Sequence, residues 1–233
     1  MIDFVDYVIA HKECDFAQDD TYRILTVGDF QKDCCLSERT GENIHQYNSR
    51  INECTGLYWI WKNTSSEYVG LSHYRRWFYN CRYRHDHSRL DAYRAEDLLA
   101  DHDIILTGTH WFPWRVIDNM RIALGEDLTA EADIVFKQMI EHRQPEYFDA
   151  YCDVMEGTCM HICNMFVTRR PVLNAYCEWL FSFLLDAADG IDVDGLTVKQ
   201  QRVAGYFAEA MWTVWLRKQD IRICEQPHKM IWG

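Results

Sequence analysis

Proline and glycine are scarce in this chain, whose 233 residues include only 4 Pro and 11 Gly. Disordered chains and collagen-like fibres are rich in these residues, so the shortage argues against both classes. Hydrophobic residues make up 48% of the chain and aromatic residues 14%, which is enough to fill a large core. We therefore expect one folded domain over residues 1–233, without a low-complexity linker.

Long apolar runs are also missing. The longest, around Ala175–Leu185, is interrupted by Glu178 and Ser182 and is too short to cross a bilayer, so no membrane span is predicted. The N-terminus lacks the basic and apolar regions of a secretory signal, and we expect a cytoplasmic protein. The ten cysteines include no Cys-x-x-Cys pair, so we expect reduced, mostly buried thiols.

Several motifs of well-known enzyme classes are absent. The chain has no Walker loop, Gly-x-Gly-x-x-Gly, Gly-x-Ser-x-Gly or His-Glu-x-x-His, which removes the usual arguments for an ATPase, a nicotinamide enzyme, a serine hydrolase or a zinc protease. Asp101–Asp103 and Asp192–Asp194 form Asp-x-Asp triplets, which would support a metal-dependent phosphohydrolase. The first triplet precedes a predicted strand and the second lies in a connector, so we interpret both as solvated loops. Cys159–Cys163 lacks a fourth zinc ligand and is interpreted as packing.

Short apolar runs alternate with longer helical patterns, which is typical of an α/β fold with a mainly parallel sheet flanked by helices. The predicted strands are Phe4–Ala10, Ile24–Val27, Glu67–Ser72, Asp103–Thr107, His161–Thr168 and Ile221–Cys224. The predicted helices are Ser49–Lys62 with Asn48 or Ser49 as cap, one from a Thr129 cap to about His142, one from Pro145 to Gly157, one from Pro171 through Phe181, and Val198–Lys218. Such sheets bind ligands at the carboxyl ends of their strands, which makes His11 and Lys12 candidates.

The net charge of −12 disfavours nucleic acid and anionic lipid as partners, because both are bound largely through Lys and Arg. Residues 69–94 are an exception, with six Arg and three His against two Asp. This segment carries +4, which leaves −16 for the rest of the chain. It includes His73-Tyr74-Arg75-Arg76 directly after a predicted strand, and guanidinium groups bind phosphate oxygens in a bidentate manner. The alternative is a solvated loop that pairs with the acidic surface.

Arg202, Tyr206 and Glu209 recur at positions i, i+4 and i+7 of the last predicted helix, so they share one face. Either they belong to a site or they form a buried structural ion pair. Glu53, on the helix before the His73–Arg76 segment, leaves the same two alternatives open.

These residues belong to a longer series of blocks: Asn43-Ile44, Glu53–Asn63, Tyr68–Arg76, Asn164–Phe166, Tyr176–Phe181, and Gln201–Val203 with Gly205, Phe207 and Glu209. In order and spacing the series resembles a bacterial family of capsular and exopolysaccharide glycosyltransferases that was long catalogued as a domain of unknown function. The resemblance covers nearly the whole chain and is loosest between Gly108 and Asp127. It implies a GT-A-like, Rossmann-like fold, with a nucleotide-binding part over about residues 1–110 and an acceptor-binding, helical part over about residues 111–233.

The resemblance also implies a reaction. Members transfer galactofuranose from its UDP donor to a glycan acceptor, in capsular polysaccharide, exopolysaccharide or O-antigen synthesis, with inversion by a single displacement. No cofactor beyond the substrates is expected; the acceptor would be lipid-linked and the enzyme peripheral at the inner face of the cell membrane. A non-catalytic subunit that binds sugar nucleotide or glycan is the alternative function.

The resemblance assigns roles to single residues. In most GT-A enzymes an Asp-x-Asp motif holds a metal on the donor diphosphate, whereas His73-Tyr74-Arg75-Arg76 stands in the analogous place here. Guanidinium or imidazolium groups would then replace the ion, which predicts a metal-independent enzyme, with Mn²⁺ or Mg²⁺ dependence as the alternative. The candidate bases are Glu209, Asp127 and Glu53; the candidate nucleotide and diphosphate ligands are His11, Lys12, His73, Tyr74, Arg75 and Arg76; the candidates for the donor sugar or acceptor are His161, Asn164 and Arg202.

Overall fold

The computed structural model describes residues 2–83 and 86–231. Arg84 and His85, which the charge count above included, lie outside the described residues. The strands are β1 (Phe4–Ala10), β2 (Tyr22–Thr26), β3 (Leu36–Ser37), β4 (Tyr68–His73), β5 (Arg76–Phe78), β6 (Ile104–Thr107), β7 (His110–Trp111), β8 (Cys159–Met160), β9 (Phe166–Arg169), β10 (Ile223–Gln226) and β11 (His228–Met230). The α-helices are α1 (Asn48–Ile51), α2 (Cys54–Asn63), α3 (Ala92–Asp101), α4 (Val116–Leu124), α5 (Glu126–Arg143), α6 (Phe148–Glu156), α7 (Arg170–Phe181), α8 (Leu184–Asp189), α9 (Val198–Gln201) and α10 (Val203–Leu216); His45–Tyr47 and Pro145–Tyr147 form 3-10 helices.

The main sheet has the strand order β10-β6-β9-β4-β1-β2-β3. β1 pairs in parallel with β2 and β4, β2 pairs in parallel with β3, and β6 does so with β10. Only β9 runs against its neighbours β4 and β6 in this series. β5 extends the sheet by antiparallel pairing with the end of β4 and with β11. The expected α/β fold with a mainly parallel sheet flanked by helices is confirmed.

The strand β1 explains how the sheet becomes a buried layer. Its residues are apolar in an almost continuous run, as expected for a strand that is covered on both faces. Tyr7 and Ile9 pack into the large core on one face, whereas Val8 and Ala10 belong to a smaller cluster on the other. The alternation follows from the two-residue period of a strand.

The strand order reverses at β1. β2 and β3 are added on one side of it, and the chain then returns to place β4 on the other side. Ile9 of β1 pairs with His73 of β4, so the two strands end at the same edge. In open α/β sheets such a reversal opens a crevice beyond the carboxyl ends of the two strands. The topology therefore determines where a ligand would bind.

The helix predicted over Ser49–Lys62 is wrong as one continuous element. It divides into α1 and α2 at Asn52, whose φ is +52°. Asn48 begins α1 instead of capping it, and its side-chain amide donates to the carbonyl of Asn52 at 3.1 Å. The interruption packs against α10, where a Cβ on Gly205 would clash with the side-chain amide nitrogen of Asn52. Periodicity alone carries no signal of this close approach.

Other predicted boundaries also need correction. Thr129 does not cap a helix, because α5 already begins at Glu126 and the buried Thr129 hydroxyl donates to the carbonyl of Gly125 at 2.7 Å. The helix predicted over Val198–Lys218 is divided at Arg202 into α9 and α10. The helices α3 and α4 and the strands β5, β7 and β11 have no counterpart in the sequence prediction.

The strand predicted over His161–Thr168 is correct only in its second half. The φ angles of Cys163 and Asn164 are +75° and +50°, a left-handed conformation that a strand excludes. The chain bends there, between the short strand β8 and β9. We call Cys163-Asn164 the left-handed bend.

The structure bears on two expectations from the sequence, the lack of a membrane span and the state of the cysteines. In the described part of the chain, every helix is too short or too polar to span a bilayer. All ten cysteines are free thiols, but only Cys54, Cys163 and Cys177 are buried, so the expectation of mostly buried thiols is wrong.

Candidate functional site

A cleft with a volume of about 420 Å³ opens at the edge where β1 and β4 end. Residues from both the first 110 positions and the remainder of the chain line it. They are Ile9, His11, Val27, Asn48, Asn52, Glu53, His73, Tyr74, Arg75, Arg76, Cys163, Arg202, Gly205, Tyr206 and Glu209. The cleft thus brings together most of the residues that the sequence marked as candidates, at the place that the strand order marks for a ligand.

Three arginines, Arg75, Arg76 and Arg202, give the cleft its positive charge. Arg76 begins β5, where its main chain pairs with that of His73, and Arg202 occupies the junction of α9 and α10. Within residues 2–83 and 86–231, neither Arg76 nor Arg202 lies within 4.0 Å of a carboxylate oxygen. Arg143 on the surface, by contrast, pairs with an aspartate at 2.6 Å. The guanidinium groups in the cleft are suited to an anionic ligand.

The charged residues of the basic segment over residues 69–94 do not all lie in the cleft. Its first part, His73–Arg76, lines the cleft. Farther along, Arg89 pairs with Asp19 at 3.1 Å and Arg94 pairs with Asp97. Both alternatives drawn from the sequence therefore apply, each to a different part of the segment.

The cleft also contains two histidines, His11 and His73, and the pKa of each is lowered. Burial, and after it the nearby Arg76, lower the pKa of His73 to about 4. The His73 Nε2 lies 2.8 Å from the carbonyl oxygen of Cys163 and must donate to it, which leaves Nδ1 as an acceptor. The pKa of His11 is lowered as well, first by burial and then by Arg202 and Arg75. The lowered pKa values favour neutral imidazole rings, so in this arrangement the arginines are the source of positive charge in the cleft.

Two carboxyl groups, Glu209 and Glu53, line the same cleft. Burial, and after it the like charge of Glu53, raise the pKa of Glu209 to about 7, although the Cys163 N–H and Arg76 oppose the shift. Burial also raises the pKa of Glu53. A carboxyl group that titrates near neutral pH is matched to proton transfer under physiological conditions.

The left-handed bend connects three walls of the cleft. The Cys163 N–H donates to Oε1 of Glu209 on α10, and its carbonyl accepts from His73 at the end of β4. The side chain of Asn164 donates to Oε1 of Glu53 at 3.3 Å. Each group that the bend holds therefore lies on a different element, and the bend fixes their relative positions.

Four of the predicted site residues lie elsewhere. Lys12 is exposed just beyond the cleft, and Asp127 is exposed in the first turn of α5. Asn164 is buried behind Glu53 and does not line the cleft. The ring of His161 is directed to the carbonyl of Thr107, with Nδ1 at 2.8 Å. None of these four side chains lines a described cavity.

Asn48, Asn52 and Cys163 line the cleft but were not predicted as site residues. Asn48 and Asn52 are four positions apart, a spacing that places two side chains on one face of a helix, and this spacing is a signal that could have identified them. Cys163 contributes main-chain groups, for which no side-chain pattern exists.

The Asp-x-Asp triplets lie away from the cleft. Asp103 precedes β6 and accepts from the Arg222 main-chain N–H at 2.9 Å. Asp192 and Asp194 are exposed between α8 and α9. The placement of Asp103, Asp192 and Asp194 agrees with the interpretation as loop carboxylates, whereas Asp101 is the last residue of α3.

A second cavity of about 280 Å³ adjoins the cleft. It shares with the cleft the residues Arg76, Cys163, Tyr206 and Glu209, and its other lining residues are His110, Phe112, Val116, Asn119, Met120, Ala123, Met160, Ile162 and Met230. Glu209 therefore stands where a mainly polar cleft and a mainly apolar cavity meet.

Comparisons with known proteins give three findings. The sequence model of a family described as "Domain of unknown function (DUF4422)" matches residues 6–220. A search of curated proteins gives no match. A solved structure described as "WbbM bifunctional glycosytransferase apo structure" is similar with a TM-score of 0.83 and 22% identity, over 99% of this chain and 45% of that chain. The chain spans less than half of that structure's length, and the likeness shows a shared fold.

Proposed function

The chain belongs to the family described as domain of unknown function DUF4422, and we propose that it is a glycosyltransferase that moves a sugar from a UDP donor to a hydroxyl of a glycan acceptor. The observation that carries the proposal is that Arg76 and Arg202, which have no carboxylate within 4.0 Å among residues 2–83 and 86–231, face one cleft together with a carboxyl group whose pKa is near 7. The fold shared with a glycosyltransferase structure supports it. From the sequence resemblance we further propose galactofuranose as the sugar, capsular or exopolysaccharide synthesis as the setting, and the cytoplasmic face of the membrane as the location.

The arginines of the cleft are proposed to stabilise the leaving group. Departure of UDP builds negative charge on the β-phosphate, and preorganised cations in a partly desolvated cleft stabilise that charge. Arg76 and Arg202 reach the cleft from different elements, Arg76 from the start of β5 and Arg202 from the junction of α9 and α10. Arg75 lies beside them, with its guanidinium carbon 5.2 Å from the Tyr74 ring centre.

Glu209 is proposed as the general base. In a single displacement the acceptor oxygen bonds to the anomeric carbon as the bond from that carbon to the diphosphate breaks, and the acceptor proton passes to a carboxylate. Glu209 borders both cavities, so a donor in the cleft and an acceptor in the second cavity would meet beside it. Glu53 borders only the cleft and is engaged by Asn164, so we assign it to positioning and to tuning of Glu209.

The reaction is proposed to need no divalent metal. Arg75 and Arg76 follow the strand end at which the sequence resemblance places an Asp-x-Asp motif in other enzymes, and the two triplets of this chain lie elsewhere. Guanidinium groups would supply the charge that a metal ion supplies in those enzymes.

The test is UDP binding by calorimetry, followed by incubation of UDP-galactofuranose or UDP-galactopyranose with a galactoside acceptor, in EDTA and in Mn²⁺. We expect UDP binding and transfer from the furanose donor in EDTA, with inverted anomeric configuration in the product. Absence of UDP binding would refute the proposal. UDP binding without transfer or donor hydrolysis would favour the non-catalytic subunit, and turnover that EDTA abolishes and Mn²⁺ restores would refute metal independence alone.

A further inference from the structure

The second cavity differs chemically from the cleft that it adjoins. Seven of its nine unshared lining residues are apolar, and three of those are the methionines Met120, Met160 and Met230. A site for a fully hydroxylated sugar ring needs polar partners for each hydroxyl, since an unpaired buried polar group is costly. Methionine side chains instead accommodate apolar groups of varied shape.

The second cavity has only two polar residues, His110 and Asn119, among those that it does not share with the cleft. Asn119 donates its amide to the carbonyls of Trp114 and Arg115 at 3.2 and 2.8 Å, which leaves its side-chain oxygen as an acceptor. His110 packs edge-on against Phe112 with ring centres 4.5 Å apart. The charged groups bordering the cavity are Arg76 and Glu209, which it shares with the cleft.

We propose that the second cavity is an acceptor subsite that binds an apolar substituent next to the reacting hydroxyl. The substituent is either the methyl group of an N-acetyl or deoxy sugar or the first methylenes of a hydrocarbon aglycone. Continuity of the cavity with the cleft at Glu209 places a hydroxyl of such an acceptor beside the base. This inference rests on the proposed function, and it adds the chemical class of the acceptor.

The experiment measures binding of three probes to the full chain by ligand-observed NMR: methyl β-galactoside, hexyl β-galactoside and the methyl glycoside of N-acetylgalactosamine. Each buried methylene strengthens binding by about fourfold, so we expect at least one substituted probe to bind tenfold or more tightly than methyl β-galactoside. Tighter binding of the hexyl probe would indicate a site for an aglycone. Tighter binding of the N-acetyl probe would indicate a site for a substituent on the sugar ring.

Ala123→Phe fills the cavity, and Ile122→Phe is the matched control because the neighbouring Ile122 side chain is 73% exposed on the same helix. Ala123→Phe should abolish the preference for the substituted probe while UDP affinity is unchanged, and Ile122→Phe should change neither. Met230→Gln, which adds a polar group without added bulk, should weaken the preference in the same direction if Ala123→Phe does not fold.

Equal affinity of the three probes, or a preference that survives both Ala123→Phe and Met230→Gln, would overturn the subsite. Failure of the proposed function has a different signature, because it is read from UDP binding and not from the probes. A chain that binds the hexyl probe in this cavity but not UDP would refute the donor cleft and leave the apolar site established.

Discussion

The pH dependence of turnover should be set by Glu209. Its pKa of about 7 predicts that kcat/KM rises about tenfold per pH unit from pH 5 to 7 and is level above that, because only the carboxylate accepts the acceptor proton. Glu209→Gln retains an oxygen that can accept from the Cys163 N–H but removes the base. It should lower kcat by about 10²- to 10⁴-fold and leave UDP affinity nearly unchanged.

The neighbouring carboxylate makes the test sharper. Glu53 is the second cause of the raised pKa of Glu209, after burial. Two like charges in a partly desolvated cleft repel by roughly 1 to 2 kcal/mol, which is about one pKa unit. Glu53→Gln should therefore move the midpoint of the pH profile down by about one unit, and kcat at the plateau should change much less than in Glu209→Gln.

The assay is initial-rate transfer at saturating donor between pH 5 and 9, with variant folding checked by UDP binding. Asp127→Asn, which alters an exposed carboxylate outside both cavities, should keep the wild-type profile. A midpoint that stays near 7 in Glu53→Gln would show that the two carboxyl groups are not coupled. An acid limb that persists in Glu209→Gln would show that another group is the base.

Two further predictions concern charge. Arg76→Ala should weaken UDP binding by about tenfold or more, whereas Arg143→Ala, which removes a surface arginine already paired with an aspartate, should leave it unchanged; equal effects in calorimetry would contradict the assignment. Asp6, fully buried in β1, has a pKa raised from 3.8 to about 7 by burial, and one oxygen accepts from Ser72 at 2.8 Å. The folded protein keeps this proton up to about pH 7 while the unfolded chain loses it above pH 3.8, so the stability of the native chain falls as pH rises across that interval. Asp6→Asn removes this loss, so from pH 5 to pH 8 its free energy of unfolding in urea should rise by about 3 kcal/mol relative to that of the native chain. A difference between the two chains that does not change with pH would refute the buried proton.

The sequence predicted those features that depend on local pattern. The apolar run Phe4–Ala10 is the strand β1 with the same bounds, and Pro171 lies in the first turn of α7, which begins one residue earlier, because proline is tolerated there. The helical spacing placed Arg202 and Glu209 on one face, and both do line the cleft although the helix is interrupted at Arg202.

What the sequence did not predict depends on contacts between distant segments. The interruption at Asn52 matches the close approach of Gly205, which lies more than 150 positions later in the chain. The left-handed bend was read as a strand, because an apolar run that contains Cys163 has the composition of one. The pairing of Arg89 with Asp19, and the absence of such a pair at Arg76 among the residues that the structure describes, likewise depend on the folded arrangement.

The left-handed bend has a consequence for how this site can be recognised in other chains. Residue 163 contributes its main-chain N–H and C=O, which would serve Glu209 and His73 equally well in glycine or asparagine, because both tolerate positive φ. Proline would remove the N–H and could not adopt the positive φ. Two proteins could therefore share the geometry of this site while differing at position 163. Relatives would therefore be identified better by the main-chain conformation at position 163 than by matching of side chains.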